Sequence, residues 1–250
     1  MQLRPVIAAY LIAVHALLVV ALVKTDLIPR VAVKFGLAKP LIPEEESIIP
    51  RLRAVHQQMD SSVPAGATIF LGDSITMALA TAAIAPYSVN YGIGWQRSDQ
   101  LIKSMDIYES IKRAGQVVIM IGTNDILQGR EPGIETRYQA ILAKIPSNVA
   151  VTMSSVPPIG SIEFGGRKIA DTRVQYAVAS AKHACEADRR CRFVNAYEVL
   201  TSNRSPLPGV LLEDGIHLAP KGYELLIGAI RRVSKGIQQR SVNDDQLAPG

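Results

Sequence analysis

Ser74, Asp214 and His217 are the residues with which this chain could do covalent chemistry. A serine hydroxyl is a weak nucleophile until a base accepts its proton. Histidine is the usual base, and a carboxylate beside it fixes its tautomer and stabilises its charged form. Asp214-Gly215-Ile216-His217 supplies that pair in one short segment, and Gly72-Asp73-Ser74 supplies the hydroxyl. The other histidines fit less well. His15 lies in an apolar run, His56 reads as a surface or packing residue, and His183 falls on a helix with no serine at a strand end nearby. Each segment alone has an ordinary reading. Asp73 or Ser74 can simply cap a helix, and Asp-x-x-His is common in surface loops. Gly122-Thr123-Asn124-Asp125, taken alone, is a turn. The order of serine, then Asp-x-x-His, over the length of one domain makes coincidence a poor explanation.

The flanking elements are suited to presenting these groups. Ala67-Thr68-Ile69-Phe70-Leu71 is apolar or β-branched with little alternation, as in a strand buried on both faces of a parallel sheet. Gly72-Asp73 end the run, and Thr76 onward reads as a helix. Ser74 therefore sits where a strand gives way to a helix N-terminus, the edge at which open α/β sheets carry their sites. Unpaired N–H groups there stabilise a developing negative charge. A strand expected over Gln116–Ile121 leads into Gly122 in the same way. Further strands are expected at Tyr87–Tyr91, Val149–Ser155 and Arg192–Asn195. Helices are expected at Thr76–Ile84, Ser98–Glu109, Glu135–Ile145, Lys168–Ala187 and Pro220–Ser234. Strands alternating with helices of this length predict a parallel sheet covered on both faces.

The bulk properties narrow the class. The chain has 250 residues, 48% of them hydrophobic, enough for one α/β domain with an appendage. Its charge of +5 is spread along the chain and aromatics are 5%, so no basic stripe with interleaved aromatics points to nucleic acid. Basic groups beside an anionic membrane are the simpler reading. Pro5 to Val23 is an apolar run that would rise about 28 Å as a helix, close to a bilayer core. No good cleavage site follows it. The expected organisation is a membrane anchor over 1–24, a juxtamembrane linker and lead-in helix over 25–66, a catalytic domain over 67–236 and a flexible tail over 237–250. Lys24, Arg30, Lys34 and Lys39 after the anchor argue for a cytoplasmic domain. The anchor-then-domain layout and the cysteine pair lean outward, and an extracytoplasmic domain is the expectation. Cys185 and Cys191 are either packed thiols or a local disulfide, which needs an oxidising compartment.

From about Ala67 to Ile230 the chain resembles the SGNH hydrolases, also called GDSL-like esterases and lipases. The resemblance rests on Gly72-Asp73-Ser74, Gly122-Thr123-Asn124-Asp125, Asp214-Gly215-Ile216-His217, and the helix start Leu218-Ala219-Pro220-Lys221-Gly222-Tyr223. It implies a flavodoxin-like three-layer α/β/α fold with a central parallel sheet. It also implies Ser74 as nucleophile, Asp214 and His217 as its partners, and the Asn124 side chain as an oxyanion donor. One block departs. In Asn90-Tyr91-Gly92-Ile93-Gly94-Trp95-Gln96-Arg97-Ser98, Trp95 falls where the family has the glycine whose N–H joins the oxyanion hole. The donor is then Trp95 itself, or Gly94 if the loop shifts. Trp95 reads either as a core aromatic or as a pocket wall on which a sugar could stack. The function expected is a membrane-anchored serine esterase that hydrolyses an O-acyl ester of a small molecule, glycan or lipid. It would need no metal or cofactor. An O-acyltransferase with the same triad and a catalytically silent binding protein are the alternatives.

Overall fold

The computed structural model describes residues 3–24, 31 and 45–247. The chain divides into two compact units, Met1–Ser47 and Ile48–Gly250. In the first, helix α1 spans Leu3–Lys24. Among the described residues no helix is long and apolar enough to cross a membrane, and several side chains of α1 lie outside the description. Most of the expected linker, residues 25–30 and 32–44, also lies outside it.

Helix α2, Glu45–Asp60, leads into the second unit and is fastened there by buried polar contacts. His56 Nδ1 lies 3.1 Å from the Tyr108 hydroxyl. The Asp60 carboxylate accepts from the Tyr91 hydroxyl at 2.9 Å and from the Ser110 N–H at 3.0 Å. The globular unit therefore begins well before the boundary expected at residue 67, because α2 supplies buried partners to the rest of the fold.

The elements that follow are β1 (Thr68–Gly72), α3 (Ser74–Met77), β2 (Ser88–Gly92), α4 (Ser98–Ser104), β3 (Gln116–Met120), α5 (Thr123–Leu127), α6 (Ile134–Ala143) and β4 (Ala150–Ser154). Then come a two-stranded hairpin, β5 (Glu163–Phe164) and β6 (Arg167–Lys168), followed by α7 (Asp171–Glu186), β7 (Cys191–Val194), α8 (Ala196–Val199) and α9 (Pro220–Leu247). The main sheet has the order β2-β1-β3-β4-β7 and every pair in it is parallel.

Side chains alternate across this sheet. Ile69, Leu71, Val117 and Ile119 pack on one side with Leu101 of α4, Tyr138 and Ile141 of α6, and Val174 and Ala177 of α7. Phe70, Val118 and Met120 pack on the other with Ile75 of α3, Ala196 of α8, and Leu226 and Ile230 of α9. Both faces are covered, so the strands read as unbroken apolar runs, and the three-layer α/β/α architecture follows. Strand order reverses beside β1, which makes the carboxyl ends of β1 and β3 a topological switch point.

Four expectations need correction. The helix expected over Thr76–Ile84 stops at Met77, and only a 3-10 turn follows at Thr81–Ala83. Asn90 Nδ2 takes the carbonyls of Thr76 (2.7 Å) and Leu79 (3.1 Å), so a tertiary donor replaces the next helical turn. The helix from Ser98 is α-helical only to Ser104 and continues as 3-10 pieces. Lys168 does not start α7, because it pairs with Glu163 across the hairpin, whose turn residues Gly165 and Gly166 have φ of 56° and 73°. The flexible tail expected from residue 237 is helical up to Leu247, since Pro249 is the first proline after Pro220.

Candidate active site

β1 delivers the serine. Asp73 caps α3, its Oδ1 accepting the Ile75 N–H at 3.0 Å. Ser74 is the first residue of that helix, so its own N–H has no intrahelical acceptor. Ser74 Oγ lies 2.9 Å from His217 Nε2, across 143 residues of sequence. His217 Nδ1 lies 2.6 Å from Asp214 Oδ2. The other oxygen, Oδ1, accepts the N–H groups of Ile216 (2.8 Å) and His217 (3.0 Å). Burial pushes the Asp214 pKa up, but the bonds from His217 and these two N–H groups outweigh it and hold the carboxyl below its ordinary range. A carboxylate that stays charged keeps the proton of the imidazole on Nδ1. Nε2 is then free to accept the serine hydroxyl. The Tyr223 hydroxyl donates to the Ile75 carbonyl at 3.0 Å and ties α9, which follows the histidine, to the serine turn.

β3 delivers Asn124. Gly122 holds φ 131°, and a Cβ there would lie 2.4 Å from Tyr138 Oη, which itself donates to the Ile121 carbonyl at 2.8 Å. Only glycine fits that corner. Asn124 Nδ2 donates to the Gln96 carbonyl at 3.0 Å, so the amide fastens the loop after β2 with one hydrogen and keeps a second. The Ile93 N–H donates to the Gly72 carbonyl at 3.0 Å, and the Gln96 N–H closes a turn on Ile93 at 3.2 Å. Trp95 is the third residue of this turn and has φ 66°, a position usually taken by glycine or asparagine. The tryptophan thus adopts the left-handed backbone itself. Asp125 holds the far end of the loop, accepting the Ser98 N–H at 2.9 Å and hydroxyl at 2.7 Å. Burial raises the Asp125 pKa, and the bonds from Ser98 and the charge of Arg137 offset this only in part.

The structure therefore brings Ser74, His217 and Asp214 into one hydrogen-bonded line. It joins Asn124 to the Gly94–Trp95 loop through Gln96. Sequence reasoning missed three contributors. Asn90 ends α3, Asp125 anchors the loop, and Phe164 places its ring centroid 6.1 Å from that of Trp95. The Gly165-Gly166 pair was the available signal for the hairpin carrying Phe164.

The profile of the GDSL-like Lipase/Acylhydrolase family matches residues 70–225, which contain every one of these residues. No curated protein sequence matches the chain significantly. Among solved structures, the lipase/acylhydrolase from Enterococcus faecalis is 24% identical, covers 68% of this chain and 95% of its own, and superposes with a TM-score of 0.57. A GDSL-like lipase from Bacteroides thetaiotaomicron is 20% identical over 75% of this chain and 98% of its own, also with a TM-score of 0.57. An acetylxylan esterase from Geobacillus stearothermophilus is 19% identical over 68% and 94%, with a TM-score of 0.54. These three likenesses speak to the fold. Taken with the profile match, they mean that the chain belongs to the GDSL-like lipase/acylhydrolase family and is an ester-hydrolysing enzyme.

Proposed function

We propose that this enzyme is a serine esterase working through an acyl-enzyme on Ser74. The observation that carries the reading is the hydrogen-bonded line from Ser74 Oγ through His217 to Asp214, at 2.9 and 2.6 Å. Ser74 Oγ attacks the ester carbonyl while His217 Nε2 takes its proton. The tetrahedral intermediate collapses as His217 passes that proton to the leaving alkoxide. The acyl group stays on Ser74. Water, with His217 again as base, then releases the acid and restores the serine. Asp214 orients His217 and stabilises its charged form. The Ser74 N–H, an N–H of Gly94 or Trp95, and the Asn124 amide bind the oxyanion. The substrate is an O-acyl ester of a carbohydrate or a lipid, a range that includes the substrates named for the fold neighbours.

The anchor and the location belong to the same proposal. α1 exposes Ile7, Tyr10, Leu11, Leu17 and Leu18, and a helix apolar all round is stable in a bilayer or a core. Cys185 and Cys191 are disulfide-bonded, with Cα atoms 5.2 Å apart, a state that persists in an oxidising compartment. Both support a membrane-held enzyme whose catalytic unit lies outside the cytoplasm.

The test is pre-steady-state hydrolysis of a chromogenic ester by the full chain. A burst of alcohol equal to the enzyme concentration, followed by slower turnover, is expected. The same experiment with a glycan acceptor added separates hydrolysis from transfer. Acyl groups appearing on the acceptor in place of free acid would make the enzyme an O-acyltransferase. No ester turnover with any acyl length would leave the binding-protein alternative.

A further inference from the structure

We infer that Trp95 and Phe164 form an aromatic platform for the alcohol part of the substrate, and that this alcohol is a pyranose sugar. The inference rests on the esterase reading above and names its substrate class.

Among the described residues three non-glycines have positive φ: Trp95, Asn203 and Arg204. Asn203 and Arg204 form the tight turn between two short paired strands, where such angles are routine. Trp95 is a bulky residue in a conformation that costs energy for any side chain, in a turn that glycine would make freely. Such strain persists where the side chain has a use.

The surroundings indicate that use. The indole is only partly buried, and its N–H has no hydrogen-bond partner among the described residues. Core packing therefore does not account for it. Its backbone lies between the Ile93 bond to Gly72 and the Gln96 bond to Asn124, beside the nucleophile turn and the oxyanion donor. Its ring meets Phe164 at 6.1 Å between centroids and 40° between planes.

Phe164 connects this side of the site to the other. The segment leading into its hairpin is bonded to the catalytic loop, the Gly160 N–H donating to the Gly215 carbonyl at 2.7 Å. Contact there is so close that a Cβ on Gly215 would lie 2.6 Å from Ile162 Cγ2. Gly215 is two residues from His217, and His217 is the group that hands a proton to the leaving oxygen. The hairpin is thus tied to the loop that carries His217, and its aromatic ring lies against Trp95.

The chemistry of the platform selects the alcohol. Aromatic rings bind apolar faces, and a partly wet indole tolerates polar groups at its edge. A pyranose offers an apolar C–H face bordered by hydroxyls. Arg167, which pairs with Phe164 across the hairpin and so shares its face, is exposed and supplies a hydrogen-bonding group that a hydrocarbon chain would not use. The free indole N–H is a donor for a sugar hydroxyl.

The test compares two acetate esters that share an acyl group and differ in alcohol, a mono-acetylated methyl pyranoside and ethyl acetate. The readout is the ratio of their kcat/KM values in the full chain, with thermal unfolding as a check of folding. Any disturbance of the oxyanion loop affects both esters and cancels in the ratio. Trp95→Ala and Phe164→Ala should each lower the ratio by about tenfold, mainly through KM for the pyranoside, and Trp95→Phe should restore part of it. A ratio that stays within about twofold of the wild type in both alanine variants would overturn the platform while leaving the esterase intact. Wild-type enzyme that hydrolyses other esters but neither of these acetates would overturn the platform alone, and turnover of no ester of any acyl length would overturn the esterase reading with it.

Discussion

Asp73 immediately precedes Ser74 and is 1% exposed, and its pKa is pushed up to about 7, first by burial and further by the charge of Asp125. The consequence for stability has a definite sign. Below its ordinary pKa of 3.8 the group is protonated in both states; between about 4 and 7 the folded protein alone keeps the proton. Stability therefore falls as pH rises through that window, with a slope from this group of about 1.4 kcal/mol per pH unit. Asp73→Asn keeps the oxygen that caps α3 and removes the titration. Urea unfolding from pH 4 to 8 should show the variant gaining on the wild type up to about pH 7, and parallel profiles would remove this account of Asp73. Asn124 is the other residue with a separable role. If its amide binds the oxyanion, Asn124→Ala lowers kcat by about 100–1,000-fold with little change in KM. A rise in KM alone would make it a ground-state contact. At this scale the sequence was informative about Ser74, Asp214, His217 and Asn124, since each sits where an apolar run breaks into polar residues. It was silent on Asp125 and Asn90, whose partners, Ser98 and the carbonyls after Ser74, are distant in sequence.

Elements were legible in proportion to how much of their pattern is local. The central strands announced themselves because burial on both faces demands unbroken apolar runs. α3 was overestimated because helical propensity beyond Met77 is overridden by Asn90, a tertiary contact that no local pattern contains. The β5–β6 hairpin is absent from the expected elements and its last residue, Lys168, falls inside an expected helix, even though the glycine pair marks the turn. The junction of α7 and β7 carries a prediction of its own. The Cys185–Cys191 bond closes a loop with a sequence separation of 6. On chain entropy alone, so short a loop contributes about 2 kcal/mol. Replacing both cysteines by serine should lower the unfolding free energy by about that amount in urea titrations, with the strand order and esterase activity kept. Loss of all folded structure would mean that the bridge determines the fold as well as stabilising it.

For the whole molecule, the family profile covers residues 70–225, and the N-terminal part must be understood separately. Its apolar run was plain in the sequence, but its orientation was not, since the basic residues after it oppose the placement that the disulfide favours. Residues 5–23 are expected to remain attached, with the catalytic unit outside the cytoplasm. In bacterial spheroplasts expressing the full chain, added protease should digest that unit without lysis. Protection until lysis would reverse the orientation. The shared sheet edge that gathers Ser74 from β1, Asn124 from β3 and His217 from the start of α9 is a property of the entire α/β/α fold, and it has one decisive test. Steady-state hydrolysis of a simple acetate ester by Ser74→Ala, with far- and near-ultraviolet circular dichroism matching the wild type, should fall by roughly a millionfold, leaving only the weak catalysis of binding and the oxyanion donors. Substantial turnover persisting in that folded variant would contradict the claim that Ser74 is the nucleophile.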